Sequence, residues 1–418
     1  MVINKWVKRR GFCLVYIMLT ILLSFGLTVC NKDNIKELVA VIRIPEITKS
    51  EINKTIEIPE NMFYQSRLND NEFIVYLNEK DEQQNGKVLY LFNIEDKSIK
   101  KYIEPLKKEY YFDDIVTNGE WLVWIEKDYY GIDTSNKSFG WQLVAKNVKT
   151  SEELVIDKSI FTTNKYSVPM YIDYIPESLN ISKQNIVSYC KSDLKYGNII
   201  SAVLIYDLNN RKQQVVAQSD TPEHELIVRC CTYGDKVVWI KFWKFNETLQ
   251  LRRTRYEYGD IFVYDINTNK IEQLTQNQFY DAPNLYENYL TVARVPESEE
   301  DENSSSPCRS DIVLFDLNTK EKRVIFDKKS ICNNYNKGTD ETYNKTIFIN
   351  DKYICWLPLG GGDNRYIYDY KNDNFVEVYE EKSKDSRVCS SITNMSGNCI
   401  VVNDLNQELT KTYFLFLK

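Results

Sequence analysis

One string recurs along the chain at a near-constant interval. It reads Ile261-Phe262-Val263-Tyr264-Asp265-Ile266-Asn267, then Ile312-Val313-Leu314-Phe315-Asp316-Leu317-Asn318, and earlier Val203-Leu204-Ile205-Tyr206-Asp207-Leu208-Asn209. A shorter copy is Tyr366-Ile367-Tyr368-Asp369, and degenerate copies are Tyr90-Leu91-Phe92-Asn93-Ile94 and Val144-Ala145-Lys146-Asn147-Val148. The aligned Asp or Asn positions are 93, 147, 207, 265, 316 and 369, so the period is about 51–60 residues. A period of that size is that of a propeller blade with its loops.

The chemistry inside the unit agrees. β-branched and aromatic runs suit strands. An Asp or Asn followed by Asn-Thr or Asn-Asn and then a basic residue suits a tight turn, in which the side chain caps its own backbone. A second run precedes each copy: Glu72–Tyr76, Trp121–Trp124, Asn185–Tyr189, Lys236–Trp239, Tyr289–Val292, Tyr353–Trp356 and Cys399–Val402. These runs are continuously apolar, as expected of strands buried on both faces. There are seven of them but six turn copies. The seventh partner is Tyr413–Leu417, whose free edge needs a cover. Lys54–Ile58 is a lone alternating strand and is expected to pair outside it. The expected fold is an all-β propeller of seven four-stranded blades, with six as the alternative, closed by an N-terminal strand. Residues 31–418 form one domain.

Residues 1–30 read as an address. Lys5, Lys8, Arg9 and Arg10 precede an uncharged apolar run from Gly11 to Val29. That is the order of a secretory signal, and the run is also long enough to span a bilayer. Leu27-Thr28-Val29-Cys30 resembles a bacterial lipobox, which implies lipid attachment at Cys30. An uncleaved signal anchor and a cleaved soluble export signal stay open. Each places residues 31–418 outside the cytoplasmic membrane. Among the downstream cysteines, Cys190, Cys355 and Cys399 sit in apolar strand-like runs and read as buried thiols; Cys389–Cys399 and Cys308–Cys332 are the pairs to test for disulfides.

The 53 basic and 60 acidic residues leave a net charge of -7, which gives no footprint for nucleic acid. His224 is the single histidine, which argues against a histidine-rich metal site or a His-based triad. No nucleophile elbow, zinc-protease, Walker or dinucleotide-binding motif occurs. Gly360-Gly361-Gly362-Asp363 reads as a hairpin connection and Glu297–Glu302 as a solvated loop. No metal and no cofactor are expected.

The repeat resembles the TolB-like and WD-type β-propellers of bacterial exported proteins. The best local match is Phe279-Tyr280-Asp281-Ala282-Pro283-Asn284-Leu285-Tyr286-Glu287-Asn288-Tyr289-Leu290-Thr291-Val292. The family's Ser-Pro-Asp-Gly turn is replaced here by Thr117-Asn118-Gly119, Tyr233-Gly234-Asp235 and Glu287-Asn288. The resemblance implies a non-enzymatic scaffold that binds a protein or surface polymer; with the N-terminal address, a monomer held at the extracytoplasmic face of the membrane and binding a protein or cell-wall polymer is expected. The competing reading is a glycan-active enzyme with a carboxylate site in the central channel. The expected contact patch lies on the long connections between second and third strands. It comprises Trp243, Arg253, Tyr256 and Tyr258 from one blade and Tyr129 and Tyr130 from another, with an acidic rim at Glu299–Glu302. Aromatics with Arg on loops of a rigid scaffold are the composition of binding hot spots.

Overall fold

The computed structural model of the chain describes residues 37–38, 47–49, 52–59, 62–77, 87–128, 138–162, 176–195, 198–219, 225–243, 258–295, 311–326, 347–356, 366–377, 389–405 and 410–417. All regular structure among them is β-strand. Consecutive strands pair antiparallel into four-strand units. Unit 1 is Met62–Arg67, Glu72–Leu77, Leu89–Asn93 and Ile99–Ile103. Unit 2 is Tyr110–Thr117, Trp121–Asp128, Ser138–Asn147 and Glu153–Thr162. Unit 3 is Glu177–Ile181, Ile186–Lys195, Asn198–Asp207 and Lys212–Gln218. Unit 4 is Glu225–Tyr233, Lys236–Trp243, Tyr258–Asp265 and Lys270–Gln273. Unit 5 is Phe279–Tyr286, Tyr289–Val295, Asp311–Asp316 and Glu321–Phe326. Unit 6 is Ile347–Ile349, Tyr353–Trp356, Tyr366–Asp369 and Asn374–Glu377. Unit 7 is Cys389–Ser396, Cys399–Leu405 and Thr410–Leu417, completed by Ile52–Glu57. The fold is an all-β propeller of four-stranded blades.

Five of these units, 1, 2, 3, 6 and 7, stand as discrete sheets, against the seven or six separate blades expected from the repeat. Units 4 and 5 are merged into one nine-stranded sheet by a single parallel bridge between Gly259 and Phe279. The cause is local. The Gly259 amide donates to the Gln278 carbonyl at 2.8 Å. A Cβ at 259 would lie 2.7 Å from the Tyr280 carbonyl oxygen and 2.5 Å from the Phe242 ring. Only glycine admits the next unit's backbone so closely.

The N-terminal strand closes the last blade as expected. Thr55 pairs with Leu415 and Ile56 with Phe414 in an antiparallel ladder. The strand starts at Ile52, two residues earlier than the alternation suggested, and is irregular between Ile52 and Lys54. The preceding segments follow the same outer rim. Glu37–Leu38 adds in parallel to Glu321–Phe326, and Ile47–Lys49 to Asn374–Glu377. One short stretch of chain therefore covers the outer edges of three successive units.

Apolar clusters pack each unit against the next, and the last unit against the first. The second strands contribute to every wedge: Trp121–Glu126 and Tyr353–Trp356 are buried at every position. At the join of units 7 and 1, Phe73 stacks on Phe414 with ring centroids 4.4 Å apart. Arg67 spans the same join, donating through Nη1 to the Ser396 carbonyl at 2.9 Å and to Asn398 Oδ1 at 3.2 Å. The third-to-fourth turns carry the repeat's Asp or Asn as a self-cap in all six copies. Asp207 Oδ1 accepts the amides of Asn209 and Asn210, and Asp316 Oδ1 those of Asn318 and Thr319. Asn93, Asn147, Asp265 and Asp369 make the same kind of bond. Four residues on, each turn has a left-handed residue: Lys97, Ser151, Arg211, Asn269, Lys320 or Asp373. That is a tight turn with a bulge, in which one positive φ restores the strand register.

One of the two candidate disulfides fails on register. Cys389 pairs with Leu405 and Cys399 with Ser396, at opposite ends of one hairpin. Six residues of strand separate them, about 20 Å, so a Cys389–Cys399 disulfide is excluded. Cys308 and Cys332 lie outside the described residues. Cys190, Cys230, Cys231, Cys355 and Cys399 are free and buried.

Candidate functional site at the long-connection end

An antiparallel meander sends its first and third turns to one end, and its middle connection and exit to the other. The capped turns therefore crowd one end of the propeller. The second-to-third connections leave from the opposite end: 129–137 in unit 2, 244–257 in unit 4 and 296–310 in unit 5. Arg253, Tyr256, Tyr129, Tyr130, Glu299–Glu302, His224, Gly360–Gly362 and Cys30 lie outside the described residues. Trp243 and Tyr258 are within them. They form the final pair of the Lys236–Trp243 and Tyr258–Asp265 ladder, at the root of the unit 4 connection.

Trp243 is half-buried and held on two sides. The Lys241 ammonium sits 4.4 Å from the centre of its ring. The indole is also among the groups that pull the carboxyl of Asp260, which is 2% exposed, downward. Asp260 also accepts from Thr275 Oγ1 at 3.2 Å and from the amides of Asn277 and Gln278. Burial raises the Asp260 carboxyl above the ordinary range, and these donors pull it partly back. Asp260 thus ties the hairpin of unit 4 to the connection that enters unit 5.

Asp260 belongs to a belt that sequence reading missed. In units 2 to 5 the sixth residue of the second strand, counted from the partner of the turn cap, is charged: Glu126, Lys191, Lys241 and Arg294. Opposite them on the third strands stand Gln142, Ala202, Asp260 and Asp311, each five residues before its cap. Lys241 pairs with Glu225 at 2.9 Å, Arg294 with Asp311 at 2.8 Å and Lys191 with Asp157 at 3.1 Å. Glu126, fully buried, accepts from the amides of Leu106 and Lys107, from Trp124 Nε1 and from Gln142 Nε2. Buried charge survives only when paired or fully hydrogen-bonded. Here the pairing lies just inside the end that carries the long connections. The signal was present in the sequence, as a charge closing a run of five strand residues.

A second perturbed carboxylate lies on a first strand. The first strands are irregular at one level in units 1, 2, 3, 4, 5 and 7. Such bulges re-aim side chains where they occur. In unit 2 the irregularity falls at Asp113-Asp114. Asp113 pairs with Lys127 at 2.8 Å. Asp114 is held by backbone hydrogen bonds from Leu179 of unit 3 and from Ile115. Burial, and next the neighbouring Asp113, push its carboxyl up to about 6. The folded state therefore favours the protonated form. Its stabilising effect is complete below about pH 4 and is lost as pH rises through about 6. Urea unfolding should show the wild type losing roughly 2 kcal/mol between pH 4 and 7 relative to Asp114→Asn. Equal slopes in the two proteins would rule this out.

No family model matches the chain, and no curated protein matches it. Solved structures do. The acylaminoacyl peptidase of Pyrococcus horikoshii aligns with a TM-score of 0.56 at 12% identity, over 86% of this chain and 53% of that one. The β-propeller domain of the Trilobed protease from Pyrococcus furiosus aligns with a TM-score of 0.54 at 12% identity, over 86% and 95%. TolB of Acinetobacter baumannii reaches a TM-score of 0.33 at 10% identity, over 84% and 78%, too low to favour that family over other propellers. The expectation that the chain is not an enzyme is overturned as an inference from fold, because the propellers of peptidases are among the solved structures that align with it. The chain spans about half the length of the acylaminoacyl peptidase, and at this identity the likeness is one of fold: the chain is similar to the β-propellers of these peptidases.

Proposed function

We propose that the chain is an extracytoplasmic propeller, tethered through residues 1–30, that binds a protein or cell-envelope polymer at the end where its long connections emerge. Cys30 is the lipid attachment site in this reading, and Trp243, Arg253, Tyr256, Tyr258, Tyr129 and Tyr130 form the contact patch. Units 4 and 5 count as two blades joined at one bridge, giving a ring of seven. The apolar cluster between them, with Ile240, Val292 and Phe315, supports that count because it resembles those at the other junctions.

The observation that carries the reading is the asymmetry of the two ends. At one end, six turns satisfy their own backbone through Asp or Asn. At the other, paired buried charges brace the roots of long connections, a rigid base for recognition loops. Cross-linking in intact cells tests it. Full-length protein should fractionate with the envelope and cross-link to an envelope component. Trp243→Ala should reduce that capture about 5- to 100-fold, the range for one hot-spot residue. Lys371→Ala, on the capped-turn end, should leave it unchanged. Recovery in the cytoplasm would overturn the address, and equal capture by Trp243→Ala would overturn the choice of face.

A further inference from the structure

We propose that Cys190 and Cys230 form a disulfide that clips unit 3 to unit 4. The two thiols come from different units and meet inside one apolar cluster, which also holds Ile186, Val203, Ile227 and Trp239. Both are 4% exposed. The two thiols are near enough that Cys230 is among the groups that push the Cys190 thiol up. Backbone geometry fixes the meeting from both sides. Cys190 pairs with Glu177 across the first two strands of unit 3, and Cys230 Sγ donates to the carbonyl of the next residue, Ser178, at 3.5 Å. Cys230 is delivered there by the irregularity of the first strand of unit 4, where Arg229 takes a φ of 59° and the register slips between Val228 and Cys230. A regular strand would send the side chain at 230 to the opposite face. Ser178 is likewise left-handed, with a φ of 57°. Two strained backbone positions thus bring the sulfurs together, and strain of this kind persists where the surroundings over-determine it. No such arrangement brings Cys355 or Cys399 to another of the described cysteines.

The chemistry balances by exchange with an external disulfide. One thiol of the pair loses its proton and attacks, say, glutathione disulfide, expelling one glutathione thiol. The second thiol then loses its proton and displaces the other glutathione. One S–S bond forms in the protein and one breaks in the oxidant, with two glutathiones released. Burial pushes the Cys190 thiol well up, so little thiolate exists once the ring is packed. Closure therefore happens while units 3 and 4 are still apart, or slowly during opening. The clip rests on the extracytoplasmic address only for its occurrence in the cell, because disulfides persist in oxidising compartments; its geometry is independent of that address.

The test separates the two. Purified full-length protein is equilibrated with reduced and oxidised glutathione, acid-quenched, alkylated in denaturant and digested without reductant. A peptide linking Cys190 to Cys230 is expected in most molecules, with Cys355 and Cys399 alkylated as internal controls. The oxidised protein should melt about 5 °C above the reduced one, since a loop of this length stabilises mainly through the unfolded chain. Cys190→Ser and Cys230→Ala should each abolish that difference, so a single poorly folding variant does not decide the matter. Recovery of both cysteines alkylated, or linkage of either to Cys231, overturns the clip. Linkage under glutathione in protein whose cellular form is fully reduced upholds the clip and refutes the address.

Discussion

Deleting Ile52–Glu57 should lower the stability of the whole propeller by roughly 5 kcal/mol, in one cooperative transition. The strand forms the outer edge of unit 7, and Ile56 is buried against the cluster that joins unit 7 to unit 1. Its removal exposes the edge of Thr410–Leu417, whose Phe414–Leu417 segment is buried. It also opens the join where Phe73 stacks on Phe414 and Arg67 reaches Ser396. A chemical-denaturation midpoint checks the magnitude. A deletion that melts like the intact chain, or that loses unit 7 alone in a separate early transition, would show that closure does not couple the ring.

Glu126→Ala should cost about 3–5 kcal/mol. The substitution removes the acceptor of two amides, an indole N–H and a carboxamide in a place water does not reach. Each donor left unpaired carries a desolvation penalty of about 1–3 kcal/mol, partly relieved where the connection at Leu106–Lys107 swings out to solvent. Hydrogen exchange at those two amides should rise along with the loss of stability. Glu126→Gln should be milder, because it keeps the shape and one acceptor oxygen. An Ala variant as stable as the wild type would mean that water replaces the carboxyl, and that the belt does not brace the connection.

What was legible in the sequence was what local chemistry decides. An Asp that caps its own turn needs only its next few residues, so Asp207, Asp265, Asp316 and Asp369 announced their hairpins. The doubly buried second strands were legible because their first five positions are mostly apolar, with only small polar residues such as Ser188 and Thr291 between. The closing strand was found by counting, since Tyr413–Leu417 lacked a partner. The merger of units 4 and 5 was not legible. It depends on a backbone approach at Gly259 that no periodicity encodes. The belt was overlooked because Glu126, Lys191, Lys241 and Arg294 each look like the end of a strand rather than a buried position. Cys389 and Cys399 were paired on spacing, but register decides whether sulfurs meet, and it sets them a hairpin's length apart. Of the expected contact patch, Trp243 was read as part of a long connection, whereas it ends the strand Lys236–Trp243 at the root of that connection. It also serves the hairpin beneath, through Asp260.

The order of assembly follows from the rim segment. Ile52–Glu57 is made near the start of synthesis, yet its partner strand, Thr410–Leu417, lies about 360 positions later. Glu37–Leu38 and Ile47–Lys49 wait likewise for Glu321–Phe326 and Asn374–Glu377. Closing a loop of that length costs roughly 5 kcal/mol in chain entropy alone. The cost falls on the last step, when most blades already exist. An unfinished ring therefore lives with two unpaired partners, the strand Ile52–Glu57 and the edge of Thr410–Leu417 in unit 7, and these are complementary between copies as well as within one. Folding of this chain is a competition between closing on itself and closing on a neighbour, and dilution favours the monomer.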